Sequence, residues 1–293
     1  LNALEMKQDL TLSGTTTGVE AGQTVTVTFG GNVYTTTVGA DGTWSQVIPT
    51  AALAALRDGS AQFTVEVTNK VGNPASTSHE YQVDTTPPHI TLNPVTADNV
   101  INIAEAEAGV AVTGTTNAPV GTTVTLTLNG VDYLGSVLAD GTWQVDLSPD
   151  ALATLASGQY TCTVTIADAA GNPASVSQTV SVDTLAPGVS FDTTAGDDII
   201  NLAEHGQALV VSGTTTGTVA GNTVTVTVGD YTVSTVVDAN GKWSIGVPAD
   251  IVSALNNGTV DISATVTDSA GNATTQGKVV TVNTSNILLT LDT

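Results

Sequence analysis

Positive charge is scarce in this chain: five Lys and Arg stand against 27 Asp and Glu, for a formal net charge of −22 over 293 residues. Such a surface repels phosphate backbones and anionic membranes, which excludes nucleic acid as a partner. Cysteine is scarcer still. Cys162 is the only one, so no disulfide framework holds the chain. Aromatic residues are few, at three Phe, five Tyr and three Trp. No apolar run approaches the ~20 residues of a membrane-spanning helix, so no membrane insertion is expected. No basic segment followed by an apolar one opens the sequence, as a signal peptide would. The abrupt start "LNALEMKQDLTLSG" reads as the cut end of a longer array.

What is abundant is small and β-branched. Hydrophobic residues make up 41% of the chain, enough for real cores, and Thr, Val, Ala, Ser and Gly dominate. The sequence repeats itself. "SGTTTG" at Ser13 returns as "TGTTNA" at Thr113 and "SGTTTG" at Ser212. "DGTW" at Asp41 returns at Asp140 and, as "NGKW", at Asn240; "VGNPAS" at Val71 returns as "AGNPAS" at Ala170 and "AGNATT" at Ala270. "VDTTPP" at Val83 becomes "VDTLAP" at Val182 and "VNTSNI" at Val282. This register gives tandem domains at 1–87, 88–186 and 187–284. The first lacks its opening strand, and residues 285–293 ("SNILLTLDT") match the openings "HITL" and "GVSF", as the start of a further repeat.

Each repeat reads as all-β. "TVTLTLNG" and "TVTVTVGD" alternate with period two, as half-buried strands do. About seven short strands with Gly/Asn/Asp turns in roughly 100 residues predict an immunoglobulin-like sandwich, and three in tandem an elongated rod. One helical turn recurs, with Leu53/Leu56, Leu152/Leu155 and Val252/Leu255 at i, i+3. Cys162 stands where Phe63 and Ile262 stand and is a core hydrophobe. Trp44, Trp143 and Trp243 follow hairpin turns and fill the space between sheets.

The acidic residues gather in particular places. In such a sandwich the loop after the first strand ("TADNVINIAEAEAG") and the end of the last strand lie at the pole where the chain leaves. The hairpin "ADAAGNPAS" lies at the opposite pole. Stacking then converges Asn2, Glu5, Asp84, Asp168 and Asn172 at the first junction. At the second it converges Asp98, Asn99, Asn102 and Glu105 with Asp183, Asp268 and Asn272. Asp197, Asp198 and Glu204 form the same set at the third domain's exit, where Asn283 replaces the linker aspartate. No Lys or Arg recurs at these positions. Converging carboxylates need a compensating charge, and hard oxygen donors suit Ca²⁺. The absence of recurring His or Cys argues against zinc or copper. The competing explanation is that these Asp and Asn residues only complete turns and keep the poles solvated.

With "DGTW", "DAAGNPAS" and the Asp-Asn/Asp-x-Ile-Asn loop carrying Glu105 and Glu204, the chain resembles the bacterial Ig-like repeats of giant type-I-secreted adhesins of Gram-negative bacteria. The resemblance covers essentially the whole sequence. It implies an extracellular, cell-surface stalk of tandem domains stiffened by Ca²⁺. Its partners are then the neighbouring repeats and, through an adhesive tip, a host-cell receptor or glycan, with the chain itself monomeric. Direct glycan or receptor binding by one repeat is the alternative, for which the singletons Asp132, Tyr133 and His205 are the candidates. An enzyme is not expected, because His79, His89 and His205 do not recur together.

Overall fold

The computed structural model describes residues 1–287, 289 and 290. The expected start of a further repeat at 285–293 lies partly outside the described residues, and those of it that are described carry no strand. The chain forms two compact units. One holds Leu1–Asn93, Val112–Asp146 and Cys162–Gln178, the other Pro94–Ala111, Leu147–Thr161 and Thr179–Thr293.

In the first unit, strand Leu10–Thr15 pairs antiparallel with Thr43–Ile48. Facing them is a four-stranded sheet in the order Asn32–Thr37, Thr24–Phe29, Gly59–Thr68 and Pro74–Val83. The Thr-Val alternation explains the pairing: Val25, Val27 and Phe29 point inward, and the intervening Thr residues stay partly or fully exposed. Phe29 stacks on Phe63 with centroids 3.8 Å apart, and Trp44, Ile48 and Leu53 complete this core. The same unit carries the pairing of Thr123–Leu128 with Val131–Val137 and with Cys162–Ile166. Cys162 is buried, and burial pushes its thiol up to about 11, so it packs and does not react.

The second unit contains a complete sandwich. A three-stranded sheet orders Gly188–Phe191, Leu209–Thr216 and Lys242–Val247. A five-stranded sheet orders Ile199–Asn201, Ala273–Asn283, Gly258–Thr267, Thr223–Val228 and Tyr231–Val236. That makes eight strands where about seven were expected. The additional one is Ile199–Asn201, parallel to Ala273–Asn283; Val100–Ile101 pairs in the same way with Ser181 and Val182. Two or three residues are too few for a periodicity signal, and by pattern alone they belong to a loop.

The recurring helical turn is present as Thr50–Leu53, Pro149–Leu152 and Ala249–Ser253, each burying an apolar side chain. A further helix, Ile103–Ala108, was not expected. Its run IAEAEA is made of good helix formers. The counterpart after Asn201 meets Gly206 and makes only turns, and the counterpart after Asn2 is a 3₁₀ turn, Glu5–Lys7. All three tryptophans are buried, Trp143 completely.

Candidate functional site

The pole of each unit is built from a tight turn between the last two long strands. In the first unit Asp168 accepts, through Oδ1, the amides of Ala170 (2.9 Å) and Asn172 (2.8 Å). Gly171 holds a φ of 90° there, a left-handed conformation that favours glycine. The turn delivers the side chain of Asn172, fully buried, to the linker and to the chain's first residues. Its Nδ2 donates to the Asp84 carbonyl (2.8 Å) and to Asp168 Oδ2 (2.9 Å). Its Oδ1 accepts the amide of Ala3 at 2.8 Å. Asn2 Nδ2 in turn donates to the Ala170 carbonyl at 2.9 Å. Burial pushes the Asp168 carboxyl up, but the hydrogen bonds from the Asn172 side chain and from the Asn172, Ala170 and Gly171 amides outweigh it and hold it below the ordinary range.

The second unit repeats the arrangement, except that Asn102 makes no counterpart of the Asn2–Ala170 hydrogen bond among the described residues. Asp268 Oδ1 accepts from Ala270 and Asn272, and Asn272 Nδ2 donates to the Asp183 carbonyl (2.9 Å) and to Asp268 Oδ2 (3.1 Å). Asn272 Oδ1 accepts the amide of Ile103 at 2.8 Å. Asp268 and Asn272 are both buried. No salt bridge involves either among the described residues.

Glu5 and Glu105 have a role that the sequence reading missed. Asn102 and Glu105 form a capping box: the Asn102 side chain accepts the Glu105 amide, and Glu105 Oε2 accepts the Asn102 amide, both at 3.0 Å. Asn2 with Glu5, and Asn201 with Glu204, close the same reciprocal pair. The signal was the spacing Asn-x-x-Glu, present three times in "NALE", "NIAE" and "NLAE".

The structure therefore joins Asn2, Glu5, Asp84, Asp168 and Asn172 in one hydrogen-bonded network, and Asn102, Glu105, Asp183, Asp268 and Asn272 in another. Asp98 and Asn99 take no part in the second. Asp98 accepts the Val100 amide, which holds its carboxyl low, while Asn99, at φ 60°, accepts the amide of Val95. Asp197 likewise accepts from Ile199. Asp198, at φ 66°, accepts from Thr194 and pairs with Lys278 Nζ at 2.5 Å, a cation partner absent from the sequence reading. That hydrogen bond from Lys278, followed by the Thr194 amide, holds the Asp198 carboxyl below its ordinary value.

Not every oxygen is taken up. Asp84 and Asp183 each use Oδ1 on the amide two residues on, and Glu5 and Glu105 each use Oε2 on an asparagine amide. The second oxygen of each carboxylate stands free of protein hydrogen bonds among the described residues. The donors are oxygen throughout, as a hard cation requires. Among the described residues, no three His, Cys, Asp or Glu side chains gather closely enough to hold a metal by themselves. Any ion here would draw on amide and backbone carbonyl oxygens as well.

Comparison with known proteins places these features. The profile of the bacterial Ig-like domain matches residues 6–85 and 95–184, and that of the bacterial Ig-like domain (group 3) matches 142–292. No curated protein sequence matches the chain. Among solved structures, a Ca²⁺-stabilised adhesin with which an Antarctic bacterium binds ice is 37% identical. It covers 97% of this chain and 71% of its own, with a TM-score of 0.48. A 1.5-MDa bacterial ice-binding adhesin is 34% identical over 97% of this chain and 94% of its own, with a TM-score of 0.47. A bacterial immunoglobulin-like domain of the M. primoryensis ice-binding adhesin is 39% identical over 32% of this chain and 95% of its own, with a TM-score of 0.26.

Proposed function

The chain belongs to the bacterial Ig-like domain family, and on that footing we propose that it is a calcium-stiffened spacer in the extracellular stalk of a large bacterial repeat adhesin. Domains of this family are structural modules and not enzymes. Among the described residues no helix is long and apolar enough to cross a membrane. In this reading the repeats are 1–87, 88–186 and 187–284, with 285–293 opening the next. The parent protein is secreted, stands on the cell surface and attaches to a host receptor, a glycan or another surface through parts other than these repeats. The giant non-fimbrial adhesin of Salmonella is the individual protein its motifs resemble.

The observation that carries the reading is the duplicated pole: two networks, built alike, in which oxygen donors of neighbouring repeats meet without Lys or Arg. Asn2, Glu5, Asp84, Asp168 and Asn172 would hold Ca²⁺ at the first. Asn102, Glu105, Asp183, Asp268 and Asn272 would hold it at the second, with Asp98 and Asn99 beside them. Asp197, Asp198 and Glu204 form the same loop at the third exit, where Lys278 already supplies positive charge. The ion would supply positive charge that lets these carboxylates stay close. The protein's part is to present the oxygens on rigid turns and to tie linker and loop to the next repeat through Asn172 and Asn272.

Extracellular modules hold Ca²⁺ with constants near ~0.1–1 mM. At about 2 mM free ion and a constant of ~0.1 mM, linkage stabilises the bound state by roughly 1.8 kcal/mol per site. Small-angle X-ray scattering in ~2 mM Ca²⁺ and in excess EGTA tests this. The maximum dimension should fall on chelation, and an Asp183→Ala/Asp268→Ala variant, which keeps only the first junction's ligands, should already be shorter than the unsubstituted chain in Ca²⁺ and fall less on chelation. Identical profiles with and without the ion would leave the acidic poles as solvated turns.

A further inference from the structure

One position of the acidic loop carries a different side chain in each repeat: Met6, Ala106 and His205. In the first repeat Met6, like Ala52 and Leu56 of the helical-turn segment, packs against the core. In the third, His205 is half-buried and lies against the helical turn. Its Nε2 is 2.8 Å from the Leu255 carbonyl, which can only accept, so that nitrogen carries the proton. Ser253 Oγ donates in return to the His205 carbonyl at 3.3 Å, joining loop and helical turn a second time.

In the second repeat the place belongs to Ala106, whose methyl group can supply no such contact. What remains is a groove of about 390 Å³ between helix Ile103–Ala108 and the helical turn Pro149–Leu152, within the size range of small-molecule sites. Ile103, Ala106, Leu152 and Leu155 give it an apolar lining. The Leu155 carbonyl, counterpart of the one that His205 engages, accepts no hydrogen bond among the described residues. Glu107 and Asp150 stand exposed at the groove, and neither has a salt-bridge partner among the described residues. This pair of carboxylates is particular to the second repeat. The equivalent positions hold Lys7 and Ala51 in the first, and Gly206 and Asp250 in the third.

We propose that this groove binds a small free organic cation that carries an N–H donor on an apolar ring, of which protonated imidazole is the type. The apolar lining takes the ring, and the Leu155 carbonyl takes the N–H. Glu107 and Asp150 supply the opposite charge, in a chain whose net charge of −22 already attracts cations. His205 makes the ring contact and the carbonyl contact from within the third repeat, so the fold itself shows that an imidazole fits between these two elements. A ligand of so few atoms binds weakly, with a constant on the order of millimolar.

The probe is 4-methylimidazole, titrated into the whole chain in Ca²⁺ buffer at a mildly acidic pH, where the ring is protonated and the carboxylates are ionised. Amide NMR follows the binding. 2-Methylfuran, a ring of the same size with neither charge nor N–H, is the control ligand. The expected result is saturable shifts at the amides of Ala106, Glu107 and Leu155. A hydrogen bond involving a charged group is worth at least about a factor of ten, so the affinity should exceed that for 2-methylfuran by at least about tenfold. Ala106→His supplies the imidazole covalently and should abolish the shifts. Glu107→Gln/Asp150→Asn changes only exposed side chains, should leave the fold intact and should weaken binding several-fold. Shifts that never saturate, equal affinity for 2-methylfuran, or shifts at Glu107 and Leu155 that persist in Ala106→His overturn the proposal. So does an affinity that Glu107→Gln/Asp150→Asn leaves unchanged, because the charge would then play no part.

Discussion

Replacing Asn172 by Ala removes a side chain with no exposed surface and three hydrogen bonds: from Ala3 N (2.8 Å), to the Asp84 carbonyl (2.8 Å) and to Asp168 Oδ2 (2.9 Å). A neutral hydrogen bond contributes about 1 kcal/mol net and one to a charged group about 1.5–3 kcal/mol, so the loss is on the order of 3.5–5 kcal/mol. Asn73 is the internal control. It occupies the same position in the first repeat, is exposed, and donates only its backbone amide, to Asn69. Asn73→Ala should therefore cost no more than about 0.5 kcal/mol. The assay is denaturant unfolding of both variants in EGTA, with amide exchange at Ala3 followed by NMR. At about 1.4 kcal/mol per factor of ten, the Ala3 amide should exchange at least roughly 300-fold faster in Asn172→Ala and at an unchanged rate in Asn73→Ala. Equal destabilisation by the two substitutions, or unchanged exchange at Ala3, would refute the reasoning that the asparagine ties the pole to the next repeat.

Other expectations are local. Trp143 Nε1 donates to the Thr91 carbonyl, whereas the buried Trp243 Nε1 has no partner; Trp143→Phe should cost about 1 kcal/mol more than Trp243→Phe in denaturant unfolding. Gly213→Ala must displace the opening strand and should cost at least about 1–3 kcal/mol. Gly246→Ala, on an exposed strand face with open space at Cβ, should instead stabilise by roughly 0.5 kcal/mol in the same measurement. The Lys278 ammonium beside Asp198 holds its carboxyl below the ordinary value in the folded chain. A depressed folded value stabilises above the unfolded one, so this contribution is complete above about pH 4 and is lost as pH falls through the folded value. Lys278→Met should raise the Asp198 midpoint in an NMR titration and flatten that part of the stability profile; an unmoved midpoint would remove Lys278 as the cause.

Much of this fold could be read from two periods, two residues along a strand and about 100 along the chain. Thr-Val alternation located the long strands because one face of each is buried. The repeat offsets aligned residues that the fold then brings to the same pole. What escaped was short or singular. Val100–Ile101 and Ile199–Asn201 pair in parallel over two or three residues, too few to show alternation. Lys278 pairs across 80 residues with Asp198 and has Gln178 in its place in the second repeat, where Asn99 stands for Asp198. The joint change from a neutral pair to a charged pair was a visible signal. Reading it required the knowledge that the loop after the first strand leans on the last strand, which only the structure provides.

The acidic residues that look alike in sequence divide by what their second oxygen does. Asn99 and Asp198 occupy equivalent positions, both at positive φ, and both accept the amide four residues back. An amide serves there as well as a carboxylate, so backbone conformation and not charge sets that position. The turn at Asp168 and Asp268 gives the opposite answer. Asn69 makes the corresponding contact with the Asn73 amide at 2.9 Å, so the turn itself needs only one oxygen acceptor. At Asp168 and Asp268 the other oxygen accepts from Asn172 and Asn272, the two asparagines that reach across to the neighbouring repeat. An amide at that position could present a nitrogen where the asparagine already presents one. The carboxylate is thus required where a junction is built and dispensable where only a turn is. This ties the negative charge of the poles to the joining of repeats, and it makes Asp168→Asn and Asp268→Asn the substitutions that should loosen the junctions while leaving their turns intact.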